Sequence, residues 1–250
     1  MFISDPWFYA AAIPAVIVSG ISKGGFGGGL GILSVPIMAL VISPVQAAAI
    51  LLPLLCVMDL FGLWAYRRQW DATNLQTLIP GSLAGIVIGA LLFRYLTPGF
   101  IKLLLGSIAM LFTVDYWTRG WRSRNKLIGK PSFFWGSIAG MVAGLTSFIA
   151  NAGAPPVSMY LLPQRMHRTS YVATTVLLFT IINYIKLIPY GWLGLLQITN
   201  LATALLLIPV AALGMLGGVW LHKQVADAVF YRICYLFLFV VGLKLIYDAV

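Results

Sequence analysis

The chain has 250 residues, of which 61% are hydrophobic and only 9% charged, with a mean hydropathy of +0.96. A soluble domain carries about 25% charged residues, so a water-soluble globule is excluded. Two cysteines and two widely separated histidines form neither a disulfide scaffold nor a metal cluster, and no cofactor or metal is expected. The formal charge of +10 comes from sixteen Lys and Arg against six acids, all of them Asp. These basic residues fall mostly between apolar runs, which reads as membrane orientation and attraction of anions rather than nucleic-acid binding.

A membrane helix needs about 20 mostly apolar residues. By that measure the chain divides into apolar segments at 7–41, 45–66, 75–93, 100–117, 132–162, 171–190, 201–221 and 229–247. The first contains a glycine run at 23–31. The opening MFISDPWFYA lacks a basic leader and cleavage site, so that segment is expected to be retained. Trp64, Tyr66, Trp70, Trp192 and Tyr247 stand at segment ends and read as an interfacial belt. A basic stretch, Arg119, Arg122, Arg124, Lys126 and Lys130, lies near the middle. It divides a single membrane domain into a first half, 1–118, a connecting loop, 119–131, and a second half, 132–250.

The halves share a weak repeat. Gly20-Ile21-Ser22-Lys23 with its glycine run, leading to Ser34, aligns with Gly144-Leu145-Thr146-Ser147, leading through Gly153 to Ser158. Leu78-Ile79-Pro80 followed by Gly85 and Gly89 matches Leu207-Ile208-Pro209 followed by Gly214 and Gly218. The expected fold is an all-α polytopic membrane protein of two pseudo-repeats. Each holds one Gly/Pro-broken or re-entrant segment plus three transmembrane helices. Broken segments at matching places in two halves point to a transporter site near mid-membrane.

Two topologies are open. If the broken segments dip in and return, Arg67, Arg68, the central five, Arg165, Arg168, Lys223 and Arg232 share one face, and only Arg94 and Lys102 lie opposite. The positive-inside rule favours this arrangement, with six full crossings, inverted halves and both chain ends outside. Eight single crossings with parallel halves is the alternative.

The stretch Ser22, Lys23, Gly24, Gly25, Phe26, Gly27, Gly28, Gly29, Leu30, Gly31 is the least lipid-like in the chain. Each glycine costs a helix roughly 1 kcal/mol relative to alanine, so the helix should break there. Such backbone is tolerated at membrane depth only where protein buries it or where it lines a cavity. Its freed amides, a following helix start and Lys23 together make a candidate anion site. Close helix packing by small residues is the alternative for the glycines, and the run is not a nucleotide P-loop because no G-K-[ST] follows. In the second half Ser147, Asn151, Gly153 and Pro155 form the matching break, where Pro155 and Pro156 remove two donors and push Ala154 out of helical geometry. Asn151, Ser147 and Thr146 can supply neutral hydrogen bonds to an oxyanion there; a simple proline kink, with Asn151 satisfied by a neighbouring carbonyl, is the alternative.

Charges inside lipid are costly and usually functional. Asp59 is the candidate for proton coupling, with pairing to a basic residue as the alternative, whereas Asn183, which aligns with it, and Lys186 are candidate pathway residues. For Lys186, snorkelling toward the interface is an equal alternative. Asp115 and Lys244 stand near segment ends, where interfacial pairing is the default. Cys56 reads as a small packing residue.

The Lys23-Gly24-Gly25-Phe26-Gly27-Gly28-Gly29-Leu30 run, Val35-Pro36, and Ala152-Gly153-Ala154-Pro155-Pro156 followed by Tyr160-Leu161-Leu162 resemble the TauE/SafE sulfite exporter family, also called the toluene sulfonate uptake permease family. The resemblance spans nearly the whole chain. It implies a multi-pass carrier of the bacterial cytoplasmic membrane for sulfite, sulfoacetate or sulfonates, driven by the proton gradient. Ser147 stands where the first half has Lys23, so a symmetric two-lysine site is not implied. The expected function is therefore a secondary transporter of small sulfur oxyanions or organosulfur anions, with the anion, the lipid bilayer and protons as its partners. A carrier for another anion such as a carboxylate is the alternative, and an enzyme or an assembly factor is less favoured. An enzyme would need a titratable constellation within reach, and the short connections leave no polar face for assembly. Exchange of Lys23 for Gln is expected to weaken anion binding and to leave folding intact.

Overall fold

A computed structural model describes residues 2–93, 95–122, 131–224 and isolated positions between 239 and 247. The regular elements among them are helical: α1 (Pro6–Phe26), α2 (Ser34–Met38), α3 (Pro44–Ala65), α4 (Ala72–Phe93), α5 (Pro98–Arg122), α6 (Phe133–Ala150), α7 (Ala154–Leu161), α8 (Arg168–Trp192) and α9 (Ile198–Gln224). Six of these helices, α1, α3, α4, α6, α8 and α9, are long and apolar enough to cross a membrane. The expected segment 229–247 lies almost wholly outside the described residues, as do Arg94, Lys244, Arg232 and the basic stretch from Arg124 to Lys130.

Local chemistry sets the helix ends. Asp5 accepts the Trp7 amide at 3.0 Å and Pro6 opens α1, while the Ser43 hydroxyl and Pro44 open α3 in the same way. Helix α1 stops at Gly27, whose φ of 70° puts it in the left-handed region where a side chain would be strained.

Contacts between helix ends give α1, α3, α4, α8 and α9 a direction. The Ile3 amide donates to Thr203 Oγ1 at 3.1 Å, and Gln46 Nε2 donates to Asn200 Oδ1 at 3.3 Å. The starts of α1, α3 and α9 therefore share one end of the bundle, the upper end. At the lower end, the Asp71 amide donates to Thr174 Oγ1 at 2.9 Å, and Asn74 Nδ2 donates to Gln164 Oε1 at 3.0 Å. The starts of α4 and α8 therefore lie there together.

Each broken segment is a hairpin that turns back inside the bundle. After Gly27 and Gly28 the chain makes a 3₁₀ turn, Gly31–Leu33, and α2 runs back along α1, where the Ser34 hydroxyl donates to Ala15 O at 2.9 Å. In the second segment, α7 returns along α6, so that the Tyr160 hydroxyl accepts the Ser132 amide at 3.1 Å. The first hairpin enters from the upper end and the second from the lower. A single broken crossing would have put the two ends of each segment on opposite sides. The tips are buried in protein, as polar backbone at membrane depth requires.

Glycines let the hairpins interlock with the other half of the chain. A Cβ at Gly20 or Gly24 would come within 2.7 or 2.4 Å of the α9 backbone at Gly214 and Met215. At Gly140 and Gly144 it would come within 2.1 Å of the α4 carbonyls of Leu78 and Ser82. Thus α1 packs on α9 and α6 on α4. These are the helices that carry the matched Ile-Pro segments, and the contact is of the close small-residue kind found between membrane helices.

The belt is partly as expected. Trp64, Trp192 and Tyr247 point outward, but Tyr66 is buried and its hydroxyl donates to Gly24 O. A phenol beneath a hairpin tip satisfies a carbonyl that the helix end leaves open.

Candidate functional site

A cavity of about 40 Å³ lies between the two hairpins, level with Leu51 and Leu55 in the middle of α3. Lys23, Gly28, Ser147, Asn151 and Asn183 line it. About 10–15 Å³ is needed per enclosed water, so the space holds a few waters or one small ion.

Lys23 reaches from α1 to α3. Its ammonium lies 2.6 Å from Asp59 Oδ1 and donates to Leu55 O at 3.4 Å. Asp59 Oδ2 accepts Asn183 Nδ2 from α8 at 2.9 Å. Both charged groups are almost fully removed from solvent.

Lys186 is the second buried cation and does not snorkel. At 0% exposure it turns inward from α8 and donates to Ser147 O and Oγ, both at 3.0 Å, and to Asn151 Oδ1 at 2.6 Å. Asn151 Nδ2 in turn donates to Ala48 O at 3.4 Å. Asn151 also ends α6 in the left-handed region, at φ 51°, a conformation that asparagine tolerates better than most residues. The break thus falls at Asn151, and Ala154, expected to be pushed out of helical geometry, instead opens α7 with Pro155 and Pro156 in its first turn.

The remaining predicted residues, Ser22, Gly24, Gly25, Gly27, Gly29, Gly153 and Pro155, do not line the cavity and have other roles. The Ser22 hydroxyl accepts the Leu30 amide at 2.8 Å, and the amides of Gly27 and Gly28 both bond to Ser22 O. The Gly31 amide bonds to Gly28 O, so four amides of the run close the turn. Gly24 and Gly25 sit against α9, whereas a Cβ at Gly153 would press on Ala143 O at 2.7 Å. Gly29 has open space around it. The Thr146 hydroxyl bonds to Val142 O of its own helix. Cys56 is buried on α3, and the Tyr184 hydroxyl donates to its carbonyl at 3.5 Å.

Tyr190 is a site-supporting residue that composition did not reveal. Its hydroxyl donates to Phe148 O at 2.7 Å from 42 positions away, the same separation as Tyr66 and Gly24. Each bond ties the second long helix of one half to the hairpin tip of that half. The matched tyrosines were visible in the sequence once the Lys23 and Ser147 stretches were aligned.

The class so defined is a multi-pass membrane protein with a charged site between two hairpins. The family match is specific: the model described as "Sulfite exporter TauE/SafE" covers residues 12–245, and the chain belongs to that family of membrane transporters. Neither the curated proteins nor the solved structures yield a match.

Proposed function

We propose that the protein is a secondary transporter that carries a small sulfur oxyanion or organosulfur anion, of the sulfite, sulfoacetate or sulfonate type, through the cavity between the hairpins. The observation that carries this reading is the cavity between the hairpins, lined by buried Lys23 and by Ser147 and Asn151, the two residues that hold buried Lys186. Asn151, Ser147 and Asn183 add dipoles that orient an anion, and Asp59, bound to Lys23, is the proton-coupling group. The equal spacing of the Tyr66 and Tyr190 bonds and the opposite entry of the two hairpins support an inverted repeat of residues 1–118 and 132–250 about this site. Arg67, Arg68, Arg165 and Arg168 near the lower end support a cytoplasmic orientation for that end in a bacterial inner membrane.

A carboxylate carrier would use the same charges, but the family favours sulfur anions. The test is flux of labelled sulfite, methanesulfonate and acetate into proteoliposomes, with and without an imposed pH gradient. Flux of the sulfur anions well above acetate is expected; flat traces for all three would refute transport.

A further inference from the structure

Resting on the transport reading, we infer that the site accepts a monoanion alone but a dianion only together with one proton, because Lys186 is its uncompensated charge. Among the described residues the site holds three ionised groups. Lys23 and Asp59 cancel at 2.6 Å. Lys186, equally buried, is met only by a carbonyl, a hydroxyl and an amide oxygen. Neutral acceptors satisfy its three N–H groups but leave its charge unbalanced, and an unbalanced charge far from water is costly. Ser147 and Asn151, which hold the ammonium, also line the cavity, so an anion there lies within the field of Lys186.

The empty site therefore carries +1, and a monoanion makes it neutral. A dianion overshoots to −1 unless a proton is taken up. Asp59 is the acceptor within the site, and its neutralisation would release Lys23 to the anion as a second cation. The other titratable or charged groups facing Asp59 are Lys23 from α1, Cys56 from its own helix, and Tyr184 and Lys186 from α8. Thiol and phenol are uncharged at neutral pH in their ordinary state, so they leave the sum unchanged.

Methanesulfonate and sulfate make the test, because they share tetrahedral shape and heavy-atom count and differ by one charge. Calorimetric titration of the full-length protein in detergent at pH 6 should show methanesulfonate bound about tenfold or more tighter than sulfate, given the cost of an unbalanced buried charge. Sulfate binding should tighten by about tenfold per pH unit on acidification, as uptake of one proton requires, while methanesulfonate binding stays flat. Asp59→Asn raises the site to +2 and should reverse the preference and remove the pH dependence of sulfate. Lys186→Gln takes it to zero, so methanesulfonate should bind weakly and only with proton uptake, tightening about tenfold per pH unit on acidification, and Asp59→Asn added to Lys186→Gln should restore tight, pH-independent binding. Equal affinity for both anions in the wild-type protein, or loss in Lys186→Gln without rescue in a folded double variant, would overturn the charge rule. Absence of binding by either anion, and by sulfite, in the wild-type protein would instead remove the transport reading beneath it.

Discussion

The two hairpins do the same structural task with different residues, and the difference lies in where each keeps its cation. In the first, two glycines in the left-handed region turn the chain, and Lys23 on the hairpin helix meets a carboxylate on α3. In the second, Asn151 turns the chain and the hairpin helix offers Ser147, while the lysine stands on the following long helix, α8. Each hairpin has a lysine beside it, Lys23 on the hairpin helix itself and Lys186 on the long helix that follows. The charges beside the first hairpin thus cancel, and the lysine beside the second is the one that an anion answers. A glycine turn needs only freedom of φ, whereas the Asn151 turn adds an amide that both binds Lys186 and faces the cavity.

The largest expected effect tests the interlock of the hairpins with the opposite half. Gly144→Leu forces a side chain into a space where even a Cβ lies 2.1 Å from Ser82 O, and it should abolish recovery of folded protein on size-exclusion chromatography. Gly29→Ala, where a Cβ meets nothing within 4 Å, should elute as wild type.

Next in size is the contrast between the lysines. Lys23→Gln leaves Asp59 buried without its counter-charge, so the expectation that folding stays intact gives way to a loss of about 3–5 kcal/mol in thermal or denaturant unfolding. Adding Asp59→Asn should return most of that loss. Lys186→Gln strands no opposite charge and should cost only about 1–3 kcal/mol, through hydrogen bonds left unmade. Equal losses for the two single variants would break the distinction between a paired and an unpaired cation.

The smallest effect tests equivalence between the halves. Tyr66→Phe and Tyr190→Phe each remove one phenol–carbonyl bond to a hairpin tip, and each should lower stability by about 1 kcal/mol. A clear difference between them would show that the two tips are held unequally.

Much of this was legible in order along the chain. Scarcity of charge defined the solvent as lipid, and the spacing of apolar runs set the helices, because length and hydrophobicity are local properties. The glycine run and the Pro155-Pro156 pair marked both hairpins, since a helix must break where propensity is lowest. Lys23, Asp59, Asn151, Asn183 and Lys186 stood out because polar side chains are rare in such segments. What those residues do to one another depends on contacts between positions far apart in sequence. Tertiary structure alone decided that Lys23 is neutralised by Asp59 and that Lys186 turns inward. It also turned most of the glycine run to turn closure and packing, and directed Tyr66 into the protein instead of the interface. The sequence by itself determined which charges must be buried. The fold determined which of them are paired, because pairing is a matter of a few ångströms between helices that no local pattern encodes.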